Sequence, residues 1–263
     1  MHIVAVDIGN SSTKFALAVP NRLENDLDII RASNHEFDVT ENLSCFLNFA
    51  GPITWSICSV NRTIESMVVD WVSTYRCDDS IFAISESDIP IPSDIQCRKS
   101  LGTDRLLASW FSTVLTPRLP IVVVDSGTAV TIDVVNEDGV FAGGFIFPGI
   151  EKSLKVLNES TDALPDLVAM QANSIADYSV LNLGKSTVDA ILGGVNYLHI
   201  AGLQGIVDRI AQQHPQAQVL ATGGGLSRLL NVIPESWTYF PELVVKAAHH
   251  LAQPTEFDES RAS

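Results

Sequence analysis

Basic residues are scarce in this sequence. Lysine and arginine total 16 against 31 aspartates and glutamates in 263 residues, so the formal net charge is -15 at pH 7. A chain with this balance repels polyanions over most of its surface, which argues against nucleic acid or an anionic membrane as a partner. An anionic substrate would therefore have to be held by a local device, such as backbone N–H groups, one or two basic side chains or a bound cation.

Cysteines and long apolar runs are also few. The four cysteines, Cys45, Cys58, Cys77 and Cys97, are widely spaced and form no Cys-x-x-Cys pair. We interpret them as reduced and structural rather than as a disulfide framework or a zinc site. The sequence shows no apolar run that suggests a membrane span, and Asp7 interrupts the apolar N-terminus before a signal peptide could form. These features predict a cytoplasmic protein.

The order of apolar, polar and turn-forming residues predicts an α/β protein. Strands are predicted at 1–8, 13–19, 53–59, 81–84, 120–124, 140–147 and 217–221. Helices are predicted near 40–49, 62–75, from 103 onward, at 150–158 and at 186–213, followed by two short helices near the C-terminus. The stretch 85–98 contains two prolines and several turn formers, and is predicted to be a loop.

One strand-turn-strand motif occurs twice. A shift of 118 positions lays Asp7 on Asp125, Gly9 on Gly127, Asn10 on Thr128 and Thr13 on Thr131. A strand that ends in Asp-x-Gly, followed by a small polar residue and a second strand, thus begins each half of the chain. The repeat predicts two related domains, 1–118 and 119–263, which face each other across a cleft.

The first copy, "DIGNSSTK", has the residues of a phosphate-binding turn. Gly9 carries no Cβ and lets the backbone approach a ligand closely, while Asn10 to Thr13 supply donors and Lys14 a positive charge. Asp7 would repel phosphate directly, so its use there would be to hold Mg²⁺ or the water around it. The alternative is a simple hairpin turn capped by Asp7 and Asn10.

The segment "SLGTDRLLASW" places an acid and a base at the start of a helix. Asp104 in the first turn gains about 0.3 to 1 kcal/mol from the helix dipole, which alone would explain it. The same position also suits a carboxylate that accepts a proton. Arg105 would then bind a substrate carboxylate through its two-pronged guanidinium.

Two further motifs follow strands. In "DSGTAVT", Asp125 has the chemistry of a cation ligand and Thr128 that of a phosphate contact. "ATGGG" at 221–225 lies between a strand and a helix, where it is either an anion or adenosine contact or a tight turn. Neither G-x-x-x-x-G-K-[ST] nor G-x-G-x-x-G occurs, which excludes the P-loop and dinucleotide signatures.

Six motifs together resemble those of type III pantothenate kinases. "DIGNSSTK", "LGTDR", "DSGTAVTID", "GGFIFPGI", "GKSTVDAILGG" and "ATGGG" occur in the order and at about the spacing of that family, over nearly the whole chain. The resemblance implies the actin, Hsp70 and sugar kinase superfamily, with two ribonuclease-H-like domains and a homodimer. It also implies ATP-dependent phosphorylation of pantothenate to 4′-phosphopantothenate, the first step of coenzyme A biosynthesis, with Mg²⁺ and a monovalent cation, K⁺ or NH₄⁺.

The resemblance also implies roles for individual residues. The ATP-binding residues would be Asp7, Ile8, Gly9, Asn10, Ser11, Ser12, Thr13, Lys14 and Thr128. Pantothenate would be bound by Gly102, Thr103, Asp104, Arg105 and Thr187. Asp104 would be the catalytic proton acceptor, Asp125 the ligand of the monovalent cation, and Asp7 the group that holds Mg²⁺, directly or through water.

The chain departs from the family just before Gly102. The family often has a tyrosine and a proline there, whereas Ile95 or a neighbour replaces the tyrosine and Arg98 the proline. A kinase of another small alcohol is therefore an alternative. A second alternative is a non-catalytic, ATP-binding regulator of the Bvg accessory factor type. The negative charge argues against direct DNA binding by such a regulator, and the presence of Asp104 and Asp125 argues against a dead enzyme.

Overall fold

The computed structural model describes residues 2–18, 27–96, 101–168 and 180–254. The strands are β1 (His2–Ile8), β2 (Ser12–Ala18), β3 (Leu27–Ser33), β4 (Ile53–Ser59), β5 (Ser80–Ala83), β6 (Ile121–Ser126), β7 (Ala129–Val135), β8 (Phe141–Pro148), β9 (Gln218–Thr222) and β10 (Thr238–Tyr239). The α-helices are α1 (Val39–Leu43), α2 (Arg62–Tyr75), α3 (Thr103–Leu115), α4 (Ile150–Glu159), α5 (Thr187–Gln213) and α6 (Leu243–Leu251).

These elements form two compact units, which divide within α3. Among the described residues, unit 1 comprises 2–91, 96–111 and 242–254, and unit 2 comprises 92–95 and 112–241. The predicted domain limits, 1–118 and 119–263, stay a prediction. The packing adds that α6, although it lies near the C-terminus, belongs to unit 1.

The sheets of the two units have the same topology. Their strand orders are β3-β2-β1-β4-β5 and β8-β7-β6-β9-β10. In each, the first strand is central, pairs antiparallel with the next strand on one side and pairs parallel with a later strand on the other. This is the arrangement of a ribonuclease-H-like domain, so the predicted α/β fold class is confirmed, and the sequence repeat corresponds to a structural one.

The sheet of unit 1 is covered by helices on both faces. Alternate strand residues such as Val6, Phe15 and Trp55 are fully buried on one face. That face is covered by α1, by α2, which contributes Trp71, and by the 3₁₀ turn after α1, which contributes Phe46. The opposite face carries the small residues Ala5, Ala16 and Ser56, which lie side by side on β1, β2 and β4. Small residues allow a helix backbone to approach the sheet closely, and α6 packs there.

Two kinds of contact fix α6 on that face. The Ser56 hydroxyl donates to the Ala248 carbonyl oxygen at 2.8 Å in a buried hydrogen bond. The His250 ring lies 5.8 Å from the Trp110 ring and 5.3 Å from the Phe111 ring of α3, measured between ring centroids. Helix α6 is therefore part of unit 1, the unit that contains Asp7.

In unit 2, the long helix α5 covers one face of the sheet. Val122, Val124 and Ile132 are buried against Leu203 and Val207 of that helix. By length and composition alone, α5 would be long enough and apolar enough to cross a membrane. A third of its most apolar 18 residues are buried.

Most predicted elements were found close to their predicted limits. The helix 62–75 matches α2 because the Asn61 side chain accepts a hydrogen bond from the Ile64 N–H and so fixes the first turn. The helix predicted near 40–49 is shorter, since α1 ends at Leu43 and is followed by a 3₁₀ turn. Strands β3 and β10 were not predicted.

Candidate functional site

Asp7 is placed at the end of β1 by the hairpin register. It lies directly opposite Lys14 on β2 and beside Cys58 on β4. The distance from Lys14 Nζ to Asp7 Oδ2 is 3.2 Å, and the two side chains are 24% and 12% exposed. The turn thus begins with one acid and one base in contact, the pair of charges that a metal-bound phosphate requires.

The turn itself is braced by Asn34, which follows β3. The Gly9 N–H donates to the Ser12 carbonyl oxygen at 3.0 Å, which closes the turn. Asn34 Nδ2 donates to the Gly9 carbonyl oxygen at 2.9 Å, and the Thr13 hydroxyl donates to Asn34 Oδ1 at 2.7 Å. A Cβ on Gly9 would lie 3.2 Å from the Ser12 oxygen, so glycine suits this close approach.

The residues between these anchors face outward. Asn10 is exposed, and Ser11 and Ser12 are half-buried. Their hydroxyl and amide groups are therefore accessible to a ligand, in contrast to the fully buried Thr13. The contact between Asp7 and Lys14 agrees both with a phosphate-binding turn and with a hairpin turn capped by Asp7 and Asn10.

Asp104 lies in the first turn of α3, a helix that begins directly after Gly102. Its Oδ1 accepts a hydrogen bond from the Arg105 N–H at 2.8 Å. A Cβ on Gly102 would overlap this same oxygen, so the carboxylate occupies space that only a glycine leaves open. Gly102, Thr103, Asp104 and Arg105 are all half-buried, and the sequence thus places the motif at an accessible helix start.

Asp7 and Asp104 lie close to the same buried thiol. Burial raises the pKa of Cys58 well above its usual range, and the negative charges of Asp7 and Asp104 raise it further. Charges act over short distances in a protein, with a screening length of about 10 Å at moderate salt. The charge of Glu65 acts on this thiol in the same direction, and the thiol stays protonated and unreactive.

In unit 2, Asp125 occupies the position that corresponds to Asp7. It lies on β6 opposite Thr131 on one side and Thr222 on the other. Gly223, the first glycine of "ATGGG", has a φ of +96°, and a Cβ there would overlap Asp125 Oδ1 and the Ser126 carbonyl oxygen. The glycine-rich loop thus lies directly on the end of the strand that carries Asp125.

Thr128 forms the tip of the second hairpin turn. The Gly149 N–H donates to the Thr128 carbonyl oxygen at 3.0 Å, and a Cβ on Gly149 would overlap the Gly127 oxygen. The motif "GGFIFPG" therefore ends against the turn that contains Thr128. Thr187 is exposed at the first residue of α5, where Ser186 caps the helix by accepting from the Asp189 N–H at 3.1 Å.

The acids of these turns are single rather than clustered. Among the residues that the structure describes, no three His, Cys, Asp or Glu side chains come together as a metal site. Carboxylates outside such a group, as Asp7 and Asp125 are, suit cations that take their other ligands from water, backbone oxygens and phosphate.

A cavity of about 560 Å³ lies elsewhere in unit 2. It is lined by β8, where Gly143 and Phe145 contribute, and by α5, where Ile206, Arg209 and His214 contribute. None of the predicted site residues lines it, so its size gives no support to any of them.

Sequence reasoning missed two residues of this region. Asn34 braces the first turn, and Glu242, at the start of α6, has Oε2 3.5 Å from Lys14 Nζ. Neither belongs to a local motif, since each reaches the turn through a distant part of the chain. The predicted departure at Arg98 lies outside the described residues, whereas Ile95 is described and its Cδ1 approaches Gly143.

Comparison with known proteins gives consistent results for family and fold. The profile of the family described as type III pantothenate kinase matches residues 3–209. A type III pantothenate kinase of Phocaeicola vulgatus is 30% identical over 220 residues, which cover 83% of this chain and 84% of the relative. Another, from Alkalilimnicola ehrlichii, is 27% identical over 259 residues and covers 96% and 98% of the two chains.

A solved structure shows the same fold. A protein of Campylobacter jejuni, described as belonging to the Baf family of transcriptional activators, aligns over 100% of both chains with a TM-score of 0.58 and 20% identity. At this identity the likeness concerns the fold and not the activity.

Proposed function

Because the chain belongs to the type III pantothenate kinase family, we propose that it transfers the γ-phosphoryl group of ATP to the primary hydroxyl of pantothenate. The products would be ADP and 4′-phosphopantothenate, as in the first step of coenzyme A biosynthesis. The structural observation that supports this most is the contact of Asp7 with Lys14 at the first hairpin turn, since a metal-bound phosphate is held by an acid and a base together.

The first hairpin turn would hold the phosphates of ATP. Its exposed and half-buried residues, Asn10 to Ser12, offer N–H and hydroxyl donors, and Lys14 offers a positive charge. Asp7 fits Mg²⁺ because it is a carboxylate at the end of β1, next to the turn, and Mg²⁺ usually takes one or two carboxylates together with water and phosphate oxygens. When bound, Mg²⁺ would neutralise charge on the phosphates.

Asp104 would accept the proton of the attacking hydroxyl. As the oxygen forms its bond to the γ-phosphorus, the bond from that phosphorus to ADP breaks and the hydroxyl proton passes to the Asp104 carboxylate. Phosphoryl transfer has a loose transition state, so most catalysis comes from positioning and from neutralisation of charge. General-base assistance adds about 10² to 10⁴ in rate. Arg105 would bind the carboxylate of pantothenate, and Gly102, Thr103 and Thr187 would complete its binding segment.

In unit 2, Asp125 and Thr128 would also take part in the reaction. Asp125 fits a monovalent cation such as K⁺ or NH₄⁺, because its cross-strand neighbours Thr131 and Thr222 are neutral oxygen-bearing residues. The cation would supply positive charge that this acidic chain lacks. Thr128, at the tip of its turn, would contact ATP.

The test is an ADP-release assay with ATP and a panel of acceptors, which includes pantothenate and several other small alcohols, with and without K⁺. We expect turnover with pantothenate and not with the other alcohols. Asp104→Asn should keep ATP binding, measured by titration calorimetry, and lose most turnover. ATP binding without turnover of any acceptor in the wild-type protein would support the regulatory alternative, and a preference for another alcohol would support the other one.

We also propose a homodimer in the cytoplasm. The Asn182 N–H lies 3.0 Å from the Tyr197 hydroxyl oxygen, which holds segment 180–183 against α5. Val180, Leu181, Leu183 and Leu198 of this region are 60%, 72%, 84% and 68% exposed. An apolar patch of this kind fits a second copy of the chain.

The dimer can be tested by light scattering coupled to size exclusion. The wild type should have twice the chain mass, and Leu183→Ser should shift it toward the monomer. Leu47→Ser, at an exposed leucine of unit 1, serves as the control and should not shift it. A monomeric wild type at micromolar concentration would contradict the proposal.

A further inference from the structure

Three charged residues form a row across the sheet of unit 1. Asp7 on β1 lies opposite Lys14 on β2, and Lys14 lies opposite Arg31 on β3. Side chains directly opposite each other point to the same face, and like charges in such a pair repel. The register alone would therefore push the Lys14 ammonium and the Arg31 guanidinium apart, and it leaves Asp7 as the only anion in the row.

Glu242 supplies the missing negative charge from outside the sheet. Its Oε1 accepts a hydrogen bond from Arg31 Nη2, and its Oε2 lies 3.5 Å from Lys14 Nζ. The Glu242 side chain is 12% exposed, whereas that of Arg31 is 62% exposed. A largely buried carboxylate thus lies between the two cations, and Lys14 is shared between Asp7 at 3.2 Å and Glu242 at 3.5 Å.

The backbone of Glu242 is unusual in a way that capping does not explain. Its φ is +63°, and it is the one non-glycine residue with a positive φ in the described part of the chain. It precedes α6, yet its side chain makes no capping hydrogen bond to that helix. Glycine would adopt this conformation without strain. A glutamate in this conformation is strained, and backbone strain is typical of residues whose side chain has a functional task.

We propose that Glu242 is a positioning residue for Lys14 and thereby for the ATP phosphates. The inference rests on the proposed function, in which Asp7 would hold Mg²⁺ when the nucleotide binds. At that point Lys14 loses part of its contact with Asp7. Glu242, held by Arg31 and by the docked helix α6, keeps the ammonium beside the turn and leaves Asp7 available for the metal.

The proposal makes a definite prediction for Glu242→Gln, which keeps the shape and removes the charge. Of the two carboxylates beside Lys14, only Asp7 would keep its charge, and Lys14 would compete with Mg²⁺ for it. We expect the affinity for MgATP to fall about tenfold, the usual effect of losing a partner of a ligand residue. The KM for ATP and the Mg²⁺ concentration for half-maximal binding should rise in parallel, while kcat changes by less than about threefold.

A second variant separates positioning from a merely structural role. Glu242→Gly relieves the backbone strain and also removes the carboxylate. If Glu242 were only structural, this variant would unfold at the wild-type temperature or above and bind MgATP normally. If it positions Lys14, it should lose MgATP affinity as Glu242→Gln does. Glu41→Gln, an exposed glutamate in α1, is the matched control and should change neither property.

The binding experiment uses the full chain without pantothenate, which is added only to measure KM and kcat. Titration calorimetry with ATP over a series of Mg²⁺ concentrations gives affinity, and thermal unfolding of the nucleotide-free protein gives stability. Loss of affinity in both Glu242 variants at near-normal stability supports the inference. Wild-type affinity in either folded variant overturns it and leaves the proposed function intact. A wild-type protein that binds no MgATP overturns the proposed function, and the inference with it.

Discussion

Gly102→Ala should displace the Asp104 carboxylate, the proposed proton acceptor, without removing it. The added Cβ would overlap Asp104 Oδ1, and the next atoms, Asp104 Cγ and Arg105 Cδ, lie 3.6 and 3.8 Å away. Gly102 is not among the glycines with positive φ, so alanine can adopt its backbone conformation. The carboxylate is the flexible end of a side chain, and it is therefore the group that yields.

The size of the effect follows from the required displacement. To restore van der Waals contact the oxygen must move by roughly 1 Å, and a misplacement of that size at a reacting centre costs about 10² in rate. This corresponds to about 2.7 kcal/mol of transition-state stabilisation. Affinity for ATP should stay within about twofold, because Asp7 and Lys14 are not touched. The free energy of unfolding should change by about 1 kcal/mol or less.

The assay is steady-state ADP release with pantothenate, together with ATP binding by calorimetry. Gly205→Ala is the control, because a Cβ on that exposed residue of α5 meets no atom within 4 Å. It should leave turnover unchanged and stabilise the helix by about 0.5 to 1 kcal/mol. Adding Gly102→Ala to Asp104→Asn should cause little further loss, since both changes act on one carboxylate. Turnover of Gly102→Ala within threefold of the wild type would refute the reasoning.

Three other outcomes are expected. Asp79→Asn should lower the free energy of unfolding in urea by about 3 to 5 kcal/mol, because the 1% exposed Asp79 side chain accepts hydrogen bonds from Arg76 and from the Trp55 indole. Burial raises the pKa of Asp79, but these hydrogen-bond donors outweigh it and lower the pKa below the usual value. The contribution of Asp79 to stability is therefore complete above about pH 3.9 and is lost as pH falls through the lower folded pKa. Burial lowers the pKa of His249, and the stability of the folded protein should therefore fall as pH drops below about 6.5. Thermal unfolding should show that this loss is smaller in His249→Leu. Asp125→Asn should raise the K⁺ concentration for half-maximal turnover, and an unchanged K⁺ response would remove Asp125 from the cation site.

The local parts of this site could be predicted from the sequence. A buried strand that ends in Asp-x-Gly and is followed by small polar residues specifies a hairpin turn, and Asp7 and Asp125 were found at such turns. The acid at the start of α3 was likewise found in the first helical turn. Each of these depends on residues that are neighbours in the chain, where turn chemistry and capping decide the structure.

The contacts of this site between distant parts of the chain could not be predicted from the sequence. Asn34 braces the first turn from the end of β3, a strand whose residues Leu27–Ser33 are mostly half-buried or exposed and carry a weak pattern. Glu242 reaches Lys14 across 228 positions of sequence, because α6 returns to the face of small residues on β1, β2 and β4. Nothing in the sequence near Glu242 indicates which sheet the helix covers, so packing decides the contact.

The two copies of the hairpin differ in the residues that lie opposite their acids, which would suit them to the two roles proposed above. Asp7 lies opposite a lysine, whereas Asp125, in the corresponding place, lies opposite Thr131 and beside Thr222. A carboxylate with an ammonium across the strand pair has its charge balanced by the protein, and a ligand that enters there must compete for both groups. A carboxylate between two threonines has neutral neighbours on both sides, and a small cation can meet that charge. In the proposed function, the identity of the cross-strand residue, more than that of the acid, would therefore distinguish the phosphate-binding turn of this chain from its cation-binding turn.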